Sequence, residues 1–165
     1  LYTKLLVIWL KTNMEINYKE KLADINAFIF DVDGVLTDGS LIISESGELL
    51  RTMNVKDGFA MKFAVDNGYK IGIISGGTNE SVRKRLNGLG IEEIHLKSHD
   101  KIVPINNFLS KYKLNKENVL VMGDDIPDIP IIKLAGIGCC PQDAVPERSN
   151  LFLTIFLKKM EEKDV

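Results

Sequence analysis

Apolar runs rich in strand-forming residues recur along the chain, and polar stretches compatible with helix separate them. The runs occupy residues 27–30, 69–74, 90–96, 118–122 and 136–140. Short continuous apolar runs are typical of strands buried on both faces, and their alternation with helices is typical of parallel sheets with right-handed crossovers. The pattern therefore predicts an α/β fold, with a Rossmann-like parallel sheet sandwiched by helices.

The stretches between these runs predict the main helices. They span residues 59–67, 80–89 and 98 to 110 or 111. Gly68 stops the first helix, and Asp57 is predicted to be its N-cap, because a short acidic side chain can accept a hydrogen bond from a free backbone N–H. A helix-compatible polar segment over residues 15–24 leads into the first strand.

Two further β-rich runs predict a hairpin between the first strand and the first of these helices. The runs at residues 40–44 and 49–55 flank a four-residue connection that contains Gly47. A short connection with glycine between two such runs is a hairpin signal. The remaining length leaves no room for a large inserted domain after the first strand.

The 165 residues are expected to form one domain with two extensions. Residues 1–22 are predicted to be an N-terminal extension, residues 23–148 the folded domain, and residues 149–165 an atypical tail. The apolar run at residues 5–10 is short for a signal-peptide core. We predict that translation starts at Met14, and a short membrane-associating tail is the weaker alternative.

Net charge, hydropathy and cysteine content limit the classes of partner and the cellular compartment that we expect. The formal net charge of −2 supplies no large positive field, which argues against a nucleic-acid or acidic-lipid partner. No uninterrupted apolar stretch is long enough to span a bilayer, so no membrane partner is expected. The two cysteines, Cys139 and Cys140, are adjacent and are predicted to be core residues of a protein in the reducing cytoplasm.

A pair of carboxylates directly follows the first buried strand. Asp31 and Asp33 are two residues apart and precede the sequence Gly-Val-Leu-Thr-Asp-Gly. Ligands of parallel sheets collect beyond the carboxyl ends of the strands, and two close carboxylates repel unless they share a proton or a cation. Such a pair can supply a nucleophile and a general acid, with Mg²⁺ to neutralise the charge. The alternative is a solvated acid pair at a strand end.

Three more polar motifs follow later strands. The segment Ser75–Thr78 offers a hydroxyl and two glycines before a helix, which is a natural anion site. Lys101 is predicted in the first turn of a helix, where its charge opposes the helix dipole and where a bound anion would offset that cost. Asp124, Asp125 and Asp128 follow the fourth strand in a G-D-D-x-x-D run.

The four motifs in this order resemble those of the haloacid dehalogenase superfamily of phosphatases, in its capless subclass. The resemblance implies that the hairpin after the first strand acts as a flap. The resemblance implies that Asp31 is the nucleophile and Asp33 the general acid and base. It also implies that phosphate is bound by Ser75, Gly76 and Lys101, and Mg²⁺ by Asp31, Asp33 and Asp124, with Asp125 and Asp128 in support. Many capless members are tetramers, so a homotetramer is expected.

Within the superfamily, the sequence resembles the 3-deoxy-D-manno-octulosonate 8-phosphate phosphatases. The resemblance implies a sugar-acid phosphate as the substrate, with Arg51 and Lys56 near its carboxylate. Alternative readings are a phosphatase for nine-carbon sialic-type keto acid 9-phosphates, and a non-catalytic oligomerisation or regulatory domain of the same fold. A phosphotransfer receiver domain is disfavoured by Asp33 and by the G-D-D-x-x-D run.

The carboxyl end departs from the pattern of these phosphatases, which continue into a glycine-rich segment and a final helix. Back-translation of residues 149–164 in a shifted frame can encode a segment close to the expected one. We therefore predict a frameshift near residues 147–149, which resequencing of the gene tests. Loss of this tail would weaken exclusion of water more than binding of phosphate.

Overall fold

The computed structural model describes residues 6–9, 18–141 and 143–144. This part of the chain forms a six-stranded sheet, a separate hairpin and five α-helices. The strands are Leu6–Trp9 (β1), Ala27–Phe30 (β2), Ile42–Ile43 (β3), Leu49–Leu50 (β4), Lys70–Ile74 (β5), Glu93–His95 (β6), Val119–Met122 (β7) and Ile137–Pro141 (β8). The helices are Tyr18–Leu22 (α1), Val55–Asp66 (α2), Glu80–Asn87 (α3), Ile102–Tyr112 (α4) and Ile129–Leu134 (α5), with 3-10 turns at Lys116–Asn118 and Ile126–Asp128.

The sheet has the order β1-β8-β7-β2-β5-β6, with all pairings parallel except that of β1 with β8. The chain moves from β2 outward through β5 to β6, and then returns to the other side of β2 to form β7 and β8. The direction of winding therefore reverses between β2 and β7. In open α/β sheets, ligands bind at this switch point, beyond the carboxyl ends of the strands. The predicted α/β fold is confirmed.

Helices cover both faces of the sheet and bury its apolar residues. On one face, Ile105 and Phe108 of α4 join Ile29 of β2 in one buried cluster. On the other face, Leu86 of α3 joins Ile73 of β5 in a second cluster. Complete burial of such side chains contributes roughly 1.5–3 kcal/mol each, so the two layers hold the strand ends, and the residues that follow them, in place.

The hairpin and the helix after it begin at other residues than the sequence predicts. The paired strands are Ile42–Ile43 and Leu49–Leu50, while Val55 already belongs to α2. The N-cap of α2 is Asn54, whose Oδ1 accepts a hydrogen bond of 2.8 Å from the backbone N–H of Lys56. The prediction that Asp57 is the N-cap is therefore wrong, because Asn54 offers the same type of acceptor one turn earlier.

Two other local expectations are corrected. Helix α4 begins at Ile102, so Lys101 occupies the N-cap position and not the first helical turn. The apolar run near the N-terminus contains β1, which the sequence did not predict and which pairs with β8 as an edge strand of the sheet. The predictions for translation from Met14 and for the tail at residues 149–165 concern segments that lie mostly outside the described residues, and they stay predictions.

Within the described part of the chain, no helix is both long and apolar enough to cross a bilayer.

Candidate active site

The switch point of the sheet brings two acidic motifs together. Asp31 directly follows β2, and Asp124 follows the neighbouring strand β7 by two residues. The register pairs Phe30 with Met122, and the backbone N–H of Asp31 donates a hydrogen bond of 3.0 Å to the carbonyl of Met122. The parallel pairing of the two central strands therefore fixes the separation of the acids.

Three carboxylates form a cluster at this point. One oxygen from each of Asp31, Asp124 and Asp128 lies within 4.8 Å of the others. Asp31 is 8% exposed and Asp128 is fully buried. The sequence assigned Asp128 a supporting role only, and the structure adds its carboxylate to the cluster. The spacing alone could not reveal this, because the 3-10 turn at Ile126–Asp128 turns the side chain back towards β7.

Lys101 is the buried cation beside the acid cluster. It is 5% exposed, and its Nζ lies 3.2 Å from Asp31 Oδ1 and 2.6 Å from Asp128 Oδ1. One ammonium group faces at least two carboxylates, so the cluster keeps an excess of negative charge.

The environment of Asp31 opposes its ionisation. Burial and the nearby charge of Asp128 raise the pKa of Asp31 from 3.8 to about 7, while Lys101 acts in the opposite direction. Desolvation and like-charge repulsion both favour the neutral acid. A bound cation would reverse the balance and keep Asp31 ionised, which is the form that a nucleophile requires.

The backbone around the cluster leaves no room for larger residues at two glycines. A Cβ on Gly34 would lie 1.8 Å from Asp124 Oδ2, and the φ of +83° at Gly34 also disfavours other residues. A Cβ on Gly123 would lie 2.4 Å from Cγ of Asp128. The close approach of backbone to carboxylate therefore requires glycine at both positions, which explains why each motif combines glycine with acids.

Asp128 also organises the loop that carries Asp124 and Asp125. Its Oδ2 accepts hydrogen bonds from the backbone N–H groups of Asp124 at 3.2 Å and of Asp125 at 3.1 Å. The exposed Asp125 caps the 3-10 turn, since its Oδ1 accepts a hydrogen bond of 2.7 Å from Ile126 N–H. These contacts hold the loop in place, and the predicted support of a metal ion by Asp125 and Asp128 stays a prediction.

The predicted phosphate loop follows β5. Ser75 is 2% exposed, and its Oγ accepts a hydrogen bond of 3.0 Å from the backbone N–H of Gly77. Gly76 is exposed, and a Cβ there would meet nothing within 4 Å. The hydroxyl and the glycine backbone precede α3, so they lie where a strand and a helix N-terminus can bind an anion.

Asp33 lies apart from the acid cluster and pairs with the flap. Its two carboxylate oxygens accept hydrogen bonds of 2.7 Å from Arg51 Nε and 2.9 Å from Arg51 Nη2. The sequence predicted Asp33 as a metal ligand and Arg51 as a substrate contact, and it did not anticipate their pairing. Lys56, the other predicted substrate contact, is exposed in the first turn of α2.

The donor set of the cluster fits a hard divalent cation. Mg²⁺ prefers carboxylate oxygens, and Asp31, Asp124 and Asp128 offer three of them close together. Oδ1 of Asp31 is buried, and apart from its ion pair with Lys101 it has no hydrogen-bond partner among the described residues. Asp31 and Asp124 belong to the predicted metal set, whereas the side chain of Asp33 points to Arg51.

Comparison with known families identifies a match to the haloacid dehalogenase-like hydrolases over residues 86–162. The matched range contains Lys101, Asp124 and Asp128, which are three of the residues gathered at the switch point. It also runs into the segment 149–165, for which the sequence analysis predicts an atypical tail.

Individual relatives extend the match to the rest of the domain. The 3-deoxy-D-manno-octulosonate 8-phosphate phosphatase KdsC of Escherichia coli K12 is 33% identical over 126 residues, which cover 76% of this chain and 67% of that protein. The corresponding phosphatase from Moraxella catarrhalis, solved with magnesium, phosphate and KDO, has a TM-score of 0.76 at 27% identity over 81% of this chain and 76% of that one. The cobalt-bound phosphatase YrbI of Haemophilus influenzae has a TM-score of 0.73 at 30% identity, over 80% of this chain and 77% of that one.

These relatives are phosphatases with the same α/β fold, and their similarity covers most of the described domain. The sequence resemblance to the superfamily is thereby confirmed. The chain belongs to the haloacid dehalogenase-like hydrolases, as a phosphoric monoester hydrolase related to the 3-deoxy-D-manno-octulosonate 8-phosphate phosphatases.

Proposed function

We propose that the chain is a Mg²⁺-dependent phosphatase that hydrolyses 3-deoxy-D-manno-octulosonate 8-phosphate through an aspartyl-phosphate intermediate. The observation that carries the proposal is the buried carboxylate of Asp31, held 3.2 Å from Lys101 at the switch point of the sheet. A desolvated carboxylate beside a fixed cation is suited to nucleophilic attack on a phosphoryl group.

The reaction proceeds in two displacements at phosphorus. In the first, an oxygen of Asp31 forms a bond to phosphorus while the bond from phosphorus to the sugar oxygen breaks, and Asp33 donates a proton to that oxygen. In the second, water attacks the phosphorus of the aspartyl phosphate and Asp33 accepts its proton, so that phosphate leaves and Asp31 is restored. Each step is easier than a single direct hydrolysis.

Lys101 and the loop after β5 stabilise the phosphoryl group during transfer. The ammonium of Lys101 and the hydroxyl of Ser75, with the backbone of Gly76, bind the equatorial oxygens, on which charge accumulates. Asp31, Asp124 and Asp128 are the side chains that would hold Mg²⁺. When bound, the cation supplies positive charge that offsets both the crowded carboxylates and the phosphoryl oxygens.

Arg51 connects the predicted substrate contact with Asp33, the predicted general acid and base. Its guanidinium holds both carboxylate oxygens of Asp33 in a bidentate contact, which fixes the direction of that carboxylate. The guanidinium has five N–H donors, and three of them bond Asp33 and the Leu49 carbonyl. Arg51 can therefore bind the carboxylate of a sugar acid while it still holds Asp33.

The proposed octulosonate substrate is supported by the similarity to 3-deoxy-D-manno-octulosonate 8-phosphate phosphatases and by the positively charged side chains around the flap. Arg51 and Lys56 lie on either side of Asn54 and can attract a carboxylate. The same charges suit a nine-carbon sialic-type keto acid 9-phosphate, which is the alternative substrate. The low cysteine content, with two cysteines in 165 residues, supports the predicted cytoplasmic location.

The experiment measures phosphate release in Mg²⁺ from a panel of esters. The panel contains octulosonate 8-phosphate, a nine-carbon keto acid 9-phosphate, and a sugar phosphate without a carboxylate. We expect kcat/KM for octulosonate 8-phosphate to exceed that for the ester without a carboxylate by at least about tenfold, since a buried charged contact is worth about 1.5–3 kcal/mol. EDTA should abolish turnover, and excess Mg²⁺ should restore it.

Each other outcome revises the proposal. A preference for the nine-carbon ester would change the proposed substrate but leave the proposed phosphatase mechanism unchanged. Equal turnover of all esters would remove the role of the flap charges in selection. Turnover that survives EDTA would contradict the metal requirement, and no turnover of any ester would leave the non-catalytic domain as the better reading.

The proposal includes assembly of the chain into a homotetramer. Ile43 of the hairpin is 73% exposed, and Phe59 on the adjacent helix α2 is 72% exposed. An isolated two-stranded hairpin is marginally stable in water, and an exposed apolar patch of this kind marks an interaction surface.

We expect light scattering to give about four times the 18.5 kDa of one chain. Ile43→Lys should lower this mass, because the charge would be buried between subunits. Val103→Lys is the matched control, since Val103 is 56% exposed on α4, which packs on the opposite face of the sheet from α2. A single-chain mass for the unmodified protein would contradict the assembly.

A further inference from the structure

The backbone carbonyl of Leu49 in the hairpin accepts two side-chain hydrogen bonds from different parts of the fold. Arg51 Nη1 donates at 3.0 Å from the same hairpin, and Asn79 Nδ2 donates at 2.8 Å from the N-terminus of α3. We call this arrangement of Leu49, Arg51 and Asn79 the Leu49 junction. It joins the flap to the loop that carries Ser75.

Through Arg51, the junction reaches the predicted general acid and base. The guanidinium donates from Nε and Nη2 to Asp33 while its Nη1 donates to Leu49, so one rigid plane connects both acceptors. The Arg51 side chain is only 7% exposed. Because a planar fork fixes direction as well as distance, a shift of the Leu49 carbonyl moves the guanidinium and therefore the carboxylate of Asp33.

Gly77 provides the space in which this pair lies against the phosphate loop. A Cβ at Gly77 would be 3.4 Å from both Arg51 Nη2 and Asp33 Oδ2, and 3.3 Å from Ser75 Oγ. Arg51 and Asn79 line the same small pocket as Ser75. The junction therefore lies within contact distance of the groups proposed to act on the phosphate ester.

The amide of Asn79 is fixed at both ends. Its Oδ1 accepts a hydrogen bond of 2.8 Å from Ser81 N–H as the N-cap of α3, which directs Nδ2 towards the Leu49 carbonyl. Only this orientation of the amide satisfies both partners. The cap explains why an asparagine suits the start of α3, but it does not require the donor on the other side.

We propose that Asn79 is a positioning residue for the phosphatase reaction: it anchors the flap through Leu49 and thereby sets the position of Arg51 and of Asp33. The inference rests on the proposed function in one respect, that Asp33 protonates the leaving oxygen. It adds a residue that touches neither the phosphate nor the metal ligands and that acts through the flap.

The test uses the substitution Asn79→Asp. Aspartate keeps the oxygen that caps α3 and loses the donor to Leu49. The matched control is Asn54→Asp, because Asn54 caps α2 in the same way and its Nδ2 donates no hydrogen bond within the described structure. Turnover is compared for octulosonate 8-phosphate and for p-nitrophenyl phosphate, whose leaving group departs without a proton.

We expect Asn79→Asp to lower kcat/KM for octulosonate 8-phosphate by about fivefold to tenfold, which corresponds to about 1–1.4 kcal/mol, the size of one hydrogen bond. Its kcat/KM for p-nitrophenyl phosphate should stay within about twofold of the unmodified enzyme, because kcat/KM covers only the steps through departure of the leaving group and not the later hydrolysis that both esters share. Amide hydrogen exchange over residues 40–52 should accelerate in Asn79→Asp and not in Asn54→Asp.

Equal loss on both esters, or no loss on either, would overturn the inference, since a structural defect does not distinguish leaving groups. Unchanged exchange over residues 40–52 would overturn it as well. If the unmodified chain hydrolyses only p-nitrophenyl phosphate, the octulosonate substrate is wrong, and the exchange comparison still decides whether Asn79 anchors the flap.

Discussion

Replacing Asp31 with asparagine is expected to lower phosphate release by at least about 10,000-fold, because removal of a catalytic nucleophile leaves only the binding contributions of the site. Asparagine is nearly isosteric with aspartate but cannot form the aspartyl phosphate. Asp38→Asn is the matched control, since Asp38 belongs to the same motif, is exposed, and keeps its hydrogen-bond acceptor for Ser40 N–H as asparagine. Residual turnover above a thousandth of the unmodified rate would contradict the assignment of the nucleophile.

Asp31→Asn is also expected to raise the free energy of unfolding of the metal-free protein, and this gain should increase as the pH rises. The pKa of Asp31 is about 7 in the folded state, mainly because of burial, against 3.8 in the unfolded chain. The folded state therefore binds the proton more tightly, and stability is lost as the pH rises from about 4 through 7. Asparagine carries no charge and avoids this loss.

Unfolding by urea in EDTA at pH 5 and pH 8 measures this effect. The advantage of Asp31→Asn in the free energy of unfolding should grow by on the order of 2 kcal/mol between the two pH values. Comparison with the unmodified protein at each pH cancels the titration of other groups. An advantage that stays constant or shrinks would show that the site tolerates the charge of Asp31.

Of the proposed substitutions, Lys101→Met is expected to lower the free energy of unfolding the most. The ammonium is the buried cation that faces Asp31 and the fully buried Asp128. Breaking a buried ion pair leaves uncompensated charge and typically costs about 3–5 kcal/mol. Turnover should also fall, by about 100-fold to 1,000-fold, because a cation is removed from the transferring phosphoryl group.

The control for this substitution is Lys116→Met. Lys116 also faces a carboxylate, that of Glu117 at 4.0 Å, but its side chain is 60% exposed. An exposed ion pair is worth about 0–1 kcal/mol, so the control should unfold at nearly the urea concentration of the unmodified protein. If Lys101→Met also unfolded at nearly the urea concentration of the unmodified protein, the buried ion pairs of Lys101 would contribute nothing measurable to stability.

The position of the site could be predicted from the sequence because it depends on local patterns. The apolar run before Asp31 and the run before Asp124 each predict a strand, and chain order then predicts which strands end at the same edge of the sheet. The limits of the five parallel strands agree with the structure to within about three residues. The local signal is strong where a run of buried side chains coincides with one element.

Start points of helices were less predictable, because several residues near a boundary offer similar capping groups. Asn54 and Asp57 are both residue types that favour the N-cap position. In the structure, the extended backbone that leaves the hairpin ends at Asn54 and the helix begins at Val55, so Asn54 is the N-cap. For Lys101 the uncertainty was a single position. Such errors move a helix by up to one turn without moving the strand ends that carry the acids.

Contacts between distant segments could not be predicted. Arg51 and Asp33 are 18 residues apart, and Asn79 is 30 residues from Leu49. Their hydrogen bonds exist only because the hairpin folds back over the loops after β2 and β5. The entry of Asp128 into the acid cluster likewise depends on a 3-10 turn whose direction no spacing rule gives.

The sequence by itself determined the α/β fold, the order of its motifs and the identity of the acids beyond the strands, since hydrophobic period and chain order act locally. Only the tertiary structure decided how the charged groups are partnered: Lys101 with Asp31 and Asp128, and Asp33 with Arg51 of the flap. The reason is physical. Partners are chosen by distance and burial, and both are properties of the packed chain that follow from no single segment of it.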